Sequence, residues 1–265
     1  IKDGAGATMD NSVTTTEGSS NAWTCVVSTH DNDASGAVTF SIAFTDDAGN
    51  AGTADTTVDD SSSVTIDNAH PTLSSVSIAT AGTGNANDGD QITLSFTSSE
   101  TIQTSPTCTF SDSASAAMDN SGSIAVADGG SNAWTCKIDA HNADPNGAIT
   151  FSIAFTDSAG NAGTAVSAVT DSTSVTIDNT HPTLSSVSIA DAGTGNANNG
   201  DDITLSFTAS EGIQSPTCTI KDGNGATMDN AVAYTEGGSN AWTCVVETHD
   251  NDASGTVTFS IAYSD

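Results

Sequence analysis

The sequence repeats itself at a period of about 111 residues, and this repetition constrains the fold more than any other feature. The twelve residues Asp67–Ile78 return at Asp178–Ile189 with a single difference. Residues 220–265 repeat residues 1–46, with 37 of the 46 positions identical. The repetition therefore predicts three domains, of which only the middle one is complete: 1–66, 67–177 and 178–265.

Within each repeat, apolar residues alternate with polar ones. Ile149, Phe151, Ile153 and Phe155, for example, are separated by single polar or small residues. Such alternation in short runs, broken by clusters of Asn, Asp, Gly and Ser, predicts half-buried antiparallel strands. The predicted strands of the complete repeat are 72–79, 91–98, 106–111, 122–127, 132–139, 148–156 and 173–178.

Seven short strands in about 110 residues are typical of an immunoglobulin-like sandwich. We therefore predict an all-β protein, built of tandem immunoglobulin-like β-sandwich domains in a linear array. Domain 1–66 would lack its N-terminal strands, and domain 178–265 would lack its C-terminal strand. An incomplete sandwich exposes a strand edge and apolar core, so we expect residues 1–265 to be a window on a longer polypeptide. Only the region of about 67–177 should then be stable alone.

The charge is strongly one-sided. There are 33 acidic residues against 3 Lys and Arg, giving a formal net charge of −30. Nucleic-acid binding depends on Lys and Arg that neutralise phosphates, so nucleic acid is excluded as a partner. Hydrophobic residues make up 35% of the chain, and no run of about 20 apolar residues occurs. We therefore expect no membrane insertion in this segment.

Three motifs carry a resemblance to a known family: Ile149–Asn161, Asp178–Pro182 and Ile203–Glu211. They resemble the tandem bacterial-type Ig-like repeats of very large extracellular adhesins and surface fibre proteins. The resemblance covers the whole chain and implies a structural role outside the cell. These repeats differ from most members of that family in containing cysteine, which also admits a eukaryotic source.

The five cysteines occupy equivalent places in the repeats. Cys108 and Cys136 form one candidate pair and Cys218 and Cys244 another, joining the third strand to the fifth. The partner of Cys25 would lie upstream of the chain. A metal site would need more thiols per repeat and a tighter spacing, so disulfides are the preferred interpretation. Disulfides persist in oxidising compartments, which predicts an extracellular or cell-surface location.

One tryptophan lies beside a cysteine in each repeat, at Trp23, Trp134 and Trp242. These side chains fall in phase with the fifth strand. Packing in the core is one interpretation, and a carbohydrate-stacking platform is the other.

The loops after the fifth strand suggest calcium. In each loop, oxygen-bearing side chains stand at positions 1, 3 and 5, with Gly at position 6, as at the start of an EF-hand loop. The bidentate Glu at position 12 is missing, and a polar hairpin turn would use the same residues. Both interpretations stay open. The candidate ligands in these loops, called the acidic loops below, are Asp31, Asp33, Asn142, Asp144, Asn146, Asp250 and Asp252.

A second group of acids should gather where consecutive repeats meet. In a sandwich, the loops after the second and sixth strands lie at the end where the chain enters. This predicts convergence of Asp67, Glu100 and Asp157 at one junction. Asp178 and Glu211 would converge with Asp144 at the next. Ca²⁺ at these junctions is the only cofactor we expect, and the arrangement would resemble cadherin-style junctions.

Catalysis is not expected. A catalytic constellation is normally unique in a chain, whereas nearly every polar residue here recurs in each repeat, and no Arg is present to stabilise developing charge. The sequence favours a non-enzymatic structural repeat region of a long extracellular fibre or cell-surface protein, acting as a rod-like spacer. Its partners would be neighbouring repeats and lateral copies in a fibre. Two alternatives remain: an adhesin module that binds carbohydrate, ice or another cell, and a laterally packed filament subunit such as that of a flagellar hair.

Overall fold

A computed structural model describes residues 1–82, 85–193 and 196–265. They form two compact units, 1–179 and 180–265. Apart from two three-residue 3-10 turns, at Ser19–Asn21 and Ser121–Ser123, the regular structure is all β. No helix in the described part of the chain has the length and hydrophobicity needed to cross a membrane. The strands are β1 (Thr14–Glu17), β2 (Trp23–Val26), β3 (Gly36–Ala37), β4 (Thr65–Ile66), β5 (Leu73–Thr80), β6 (Gln91–Ser98), β7 (Thr107–Ser111), β8 (Ala125–Gly130), β9 (Ala133–Asp139), β10 (Gly147–Ala148), β11 (Thr150–Ala154), β12 (Thr176–Ile177), β13 (Leu184–Asp191), β14 (Asp202–Ala209), β15 (Thr217–Lys221), β16 (Ala233–Glu236), β17 (Ala241–Glu247) and β18 (Thr258–Ala262).

The complete repeat is a two-layer sandwich. One antiparallel sheet has the order β5-β6-β9-β8, and the facing layer pairs β7 with β11 and β10 with β12. In order along the repeat, the first, second, fifth and fourth strands thus form one sheet, and the third, sixth and seventh form the other. This is the strand order of an immunoglobulin constant-type sandwich.

The predicted alternation of apolar and polar residues determines which side chains form the core. In β6, Ile92, Leu94 and Phe96 are buried, while the residues between them are partly exposed. The structure divides the predicted strand 148–156 in two, because residues 147–148 pair with β12 while β11 pairs with β7. The predicted strand 122–127 begins later, at Ala125, because residues 121–123 form a 3-10 turn.

Both predicted disulfides are present, Cys108–Cys136 and Cys218–Cys244, with Cα–Cα distances of 6.4 Å. Each joins the third strand of a repeat to the fifth, and so crosses from one sheet to the other. Trp134 and Trp242 are buried beside them, which agrees with the core interpretation. Because the two sheets are cross-linked covalently, the bond constrains the unfolded chain of each repeat.

Unit 180–265 has the same architecture, with β13-β14-β17-β16 as one sheet and β15 paired with β18. Among its described residues, no segment corresponds to the seventh strand of the complete repeat. Segment 1–66 contributes only the pairs β1–β2 and β3–β4, together with isolated bridges such as Lys2–Thr39. Trp23 is therefore 61% exposed, whereas its counterpart Trp134 is 9% exposed.

Candidate metal centre at the start of the complete repeat

Three carboxylates come together where segment 1–66 meets the complete repeat. Asp67 directly follows β4, Glu100 lies two residues beyond β6, and Asp157 follows β11. One oxygen of each lies within 4.8 Å of an oxygen of the others, and in the described part of the chain this is the one group of three or more His, Cys, Asp or Glu with such spacing. We call these residues the carboxylate triad.

Asp157 is fully buried and organises the turn after the sixth strand. Its Oδ1 accepts hydrogen bonds from the backbone amides of Ala159, Gly160 and Asn161, at 2.7 to 2.9 Å. Burial raises the pKa of this carboxyl, but the hydrogen bonds from Asn161, Gly160 and Ala159 outweigh it and hold the pKa below its ordinary value of 3.8. Asp157 is therefore a fixed negative charge in the turn.

The same turn holds the linker that joins the two repeats. Asn161 Nδ2 donates to Oδ2 of Asp157 and to the carbonyl oxygen of Asp67, at 2.8 and 2.9 Å. His70 Nδ1 donates to the carbonyl oxygen of Ala162 at 2.9 Å. These contacts tie the linker to the complete repeat and set Asp67 beside Asp157.

Glu100 is the member of the triad whose charged form is disfavoured. Burial raises the pKa of its carboxyl above the ordinary 4.5, and the negative charges of Asp67 and Asp157 raise it further. At neutral pH, three carboxylates thus repel one another at one site. A hard divalent cation with oxygen ligands would relieve that repulsion, and carboxylates are the ligands that Ca²⁺ prefers.

The linker is fastened on its other side by Asn68. Its Nδ2 donates to the carbonyl oxygens of His30 and Asp33, at 3.0 and 2.8 Å, and its backbone amide donates to Ser35 Oγ at 2.9 Å. These three residues belong to the acidic loop of segment 1–66.

The same arrangement recurs one period later. Asn179 Nδ2 donates to the carbonyl oxygens of His141 and Asp144, both at 3.0 Å, and its backbone amide donates to Asn146 Oδ1 at 2.8 Å. We call Asn68 and Asn179 the latch asparagines.

The central acids of the acidic loops serve the protein backbone. Both carboxylate oxygens of Asp144 accept amide hydrogen bonds, from Asp119 at 2.9 Å and from His141 at 3.0 Å. Asp33 and Asp252 accept the equivalent pairs. Gly147 has a φ of +134°, and an added Cβ would lie 2.6 Å from Ser113 Cβ. These features are what a polar turn requires, and calcium in these loops stays a prediction.

The other predicted ligands lie in the acidic loops and at the junction with the next repeat. Asp31, Asn142 and Asp250 are exposed, and Asn146 Nδ2 donates to Asp178 Oδ1 at 2.9 Å. Asp178 belongs to unit 1–179 and Glu211 to unit 180–265. The convergence of these two acids with Asp144 therefore stays a prediction.

Sequence reasoning missed a set of buried aspartates after the third strand: Asp3, Asp112 and Asp222. Asp222 accepts amide hydrogen bonds from Asn224, Ala226 and Ala253, the last belonging to the acidic loop. The hydrogen bond from Ala253 is the largest influence on its pKa, which lies below 3.8 despite burial. The signal was an Asp that recurs at one place in every repeat, followed by a Gly-rich or Ser-rich turn.

Comparison with models of known protein families found no match, and neither did comparison with curated proteins. Among solved structures, the chain is similar to the titin domains z1z2 in complex with telethonin, at 12% identity and a TM-score of 0.28, covering 73% of this chain and 94% of that one. It is also similar to the N-terminal Ig1-2 module of the Drosophila receptor protein tyrosine phosphatase DLAR, at 12% identity and a TM-score of 0.27, covering 74% and 96%. Bovine butyrophilin matches at 11% identity and a TM-score of 0.26, covering 71% and 92%. The order of the strands in each sheet is what establishes the immunoglobulin-like fold.

Proposed function

We propose that this chain is a non-enzymatic structural repeat region of a long extracellular fibre or cell-surface protein, acting as a rod-like spacer. The observation that carries the proposal is the linker of residues 67–70, which is hydrogen-bonded to the repeat on each side. Asn68 bonds the preceding acidic loop, while Asp67 and His70 bond the turn at Asn161 and Ala162. A linker fixed in this way resists bending between one repeat and the next, as a rod-like spacer requires.

Calcium at the carboxylate triad is part of this proposal. Asp67 comes from the linker, whereas Glu100 and Asp157 come from two loops of the complete repeat. A cation held by all three would fix the linker at a third place and cancel the repulsion that raises the pKa of Glu100. The expected partners are neighbouring repeats of the same polypeptide and lateral copies in a fibre.

The chemistry of the cysteines supports an extracellular location. Each sandwich carries an inter-sheet disulfide, and such bonds persist where the surroundings are oxidising. The acidic surface adds mutual repulsion between repeats, which keeps a long array soluble and extended.

The test is the length of a recombinant array of three copies of residues 67–177, measured by small-angle X-ray scattering. We expect a rod with a narrow length distribution in 1 mM CaCl₂ and a shorter, more variable particle in chelator. The matched controls are arrays carrying Glu100→Gln, which should lose the calcium response, and arrays carrying the exposed Asp128→Asn, which should keep it. A compact particle in calcium would overturn the spacer function. A rod whose length is the same in calcium and in chelator would overturn only the metal site.

A further inference from the structure

The seventh strand of the complete repeat, residues 166–177, is longer than its pairing with β11 requires. Ile153 and Val166 exchange backbone hydrogen bonds at 2.9 and 3.1 Å, and the amide of Ile149 donates to the carbonyl oxygen of Val175 at 3.1 Å. Between these contacts the chain advances four residues along β11 but nine along the seventh strand. The five surplus residues are accommodated in the segment 167–174, which we call the excursion.

The excursion leaves a gap beside Phe151. Alternate residues of an antiparallel strand bond opposite neighbours. Because Ile149 and Ile153 both bond the seventh strand, the backbone of Phe151 between them faces that strand as well. In the described part of the chain, no backbone hydrogen bond joins Phe151 to the excursion. An open cavity of about 240 Å³ lies there instead, with Phe151, Ala168 and Val169 in its walls.

A few hydrogen bonds to the first strand of the repeat hold the excursion away from β11. The amide and the hydroxyl of Thr170 both donate to the carbonyl oxygen of Val76, at 2.8 and 3.2 Å. The amide of Ile78 donates to Thr173 Oγ1 at 2.9 Å. Every residue of the excursion except Val169 is exposed. Little apolar burial therefore opposes a movement of this segment.

We propose that the excursion is stored length, which the seventh strand releases under tension by pairing with β11 in a new register. The proposal rests on the spacer function proposed above, because a spacer is loaded through the linkers at its two ends. In the new register the strand continues from Val166 without a break, and its inward positions become residues 168, 170 and 172. Residues 173–177 then join the linker. Five residues at about 3.4 Å each lengthen the repeat by about 17 Å.

The side chains determine which register is favoured at rest. Val175 and Ile177 are buried in the resting register and would leave the core. Ala168, Thr170 and Ser172, which would enter it, are small and uncharged. The new register is therefore possible but disfavoured without load, and the lost apolar burial sets the force that induces it on the order of 20 pN.

Segment 1–66 contains the same surplus but a different sequence. Ile42 bridges to Asp55, and the amide of Val38 donates to the carbonyl oxygen of Val64, which again gives four residues against nine. There the new register would put Asp59 in the place of Val64. A charge would then face the interior at high cost, so the complete repeat changes register at lower force.

The experiment holds chain 1–265 by its two ends in optical tweezers. We expect a reversible lengthening of about 17 Å at a force on the order of 20 pN. It should precede the unfolding of the complete repeat, which gives a much longer step of more than about 200 Å. The two events are therefore distinguished by their length and by whether they reverse when the force is lowered.

Two neighbouring variants make the test specific. Ala168→Asp should abolish the reversible step, because its charge would face the interior in the new register. Its unfolding step should be unchanged, since Ala168 is exposed at rest. Ser167→Asp, which faces outward in the new register, should keep both steps. A wild-type chain without the 17 Å step would overturn the proposal, as would an Ala168→Asp chain that keeps it. Either result leaves the spacer function standing, because the scattering test of that function applies no load.

Discussion

Glu100 shows how a single side chain can connect electrostatics with the junction between repeats. A raised pKa means that the protonated carboxyl is favoured in the folded state. In the absence of a cation, this contribution to stability is complete below the ordinary pKa of 4.5 and is lost as the pH rises through the raised value. Asp157 has the opposite sign, because its lowered pKa contributes stability above 3.8 that is lost as the pH falls through the lowered value.

We predict that Glu100→Gln raises the melting temperature of chain 1–265 in chelator at pH 7, by about 2 °C, because one of three mutually repelling charges is removed. Addition of calcium should raise the melting temperature of this variant less than that of the wild type, because the variant lacks one of the three carboxylate ligands. Differential scanning calorimetry in both buffers measures this. Glu17→Gln, on an exposed strand, is the control and should change neither value. A lower melting temperature in chelator would contradict the repulsion described for the triad.

A second prediction concerns the buried aspartate of unit 180–265. Asp222→Asn should lower the melting temperature of that unit by about 5 °C at pH 7. The asparagine side chain has one oxygen, so it cannot accept all the hydrogen bonds that the two carboxylate oxygens accept. The difference from the wild type should shrink below pH 3.8, as the wild-type carboxyl becomes protonated and loses the same bonds. The exposed Asp250→Asn is the control. A difference that persists unchanged at pH 2 would show that packing, and not charge, is responsible.

At the scale of the strands, much of the fold could be predicted, because each strand is short and alternates cleanly. Phe151 and Ile153 on β11 are buried as their alternation predicts. The triad was also within reach of the sequence, since the order of strands determines which loops meet at each end of a sandwich. The latch asparagines were not, because their bonds to the carbonyl oxygens of His30 and Asp33 depend on the path of a linker that has no periodic pattern.

The latch asparagines give a prediction about the linker. In a three-copy array of 67–177, Asn68→Ala removes two side-chain hydrogen bonds at each junction, of about 1 kcal/mol each. The melting temperature of the individual repeats should stay the same, while the spread of inter-repeat distances widens. Pulsed electron spin resonance between labels on adjacent repeats measures that spread, in chelator.

The control for this experiment is Asn142→Ala, whose side chain is exposed in the acidic loop. It should leave the distance distribution unchanged. An Asn68→Ala array as narrow as the wild type would show that the latch does not fix the linker.

At the scale of the whole chain, exposure of aromatic residues should decide where proteolysis begins. Trp23 and Phe44 are 61% and 57% exposed, whereas Trp134 and Phe155 are 9% and 5% exposed. Chymotrypsin should therefore trim chain 1–265 from segment 1–66 first, then within 180–265, and leave a core near 67–178. Mass spectrometry of the time course identifies the fragments. A tandem of two whole repeats beginning at Asp67 is the control and should resist throughout. Resistance at both ends of 1–265 would show that the predicted repeat boundaries are wrong.

The disulfides also set how far a repeat can extend under load. Cys108 and Cys136 are 28 positions apart, and the chain between them stays closed in a loop when the rest of the sandwich unfolds. At about 3.5 Å per extended residue, the disulfide of each repeat prevents about 100 Å of chain from extending, and reduction would release that length. Single-molecule pulling should therefore show unfolding steps about 100 Å shorter before reduction than after it. An array with such bonds would therefore lengthen less each time one of its repeats unfolds.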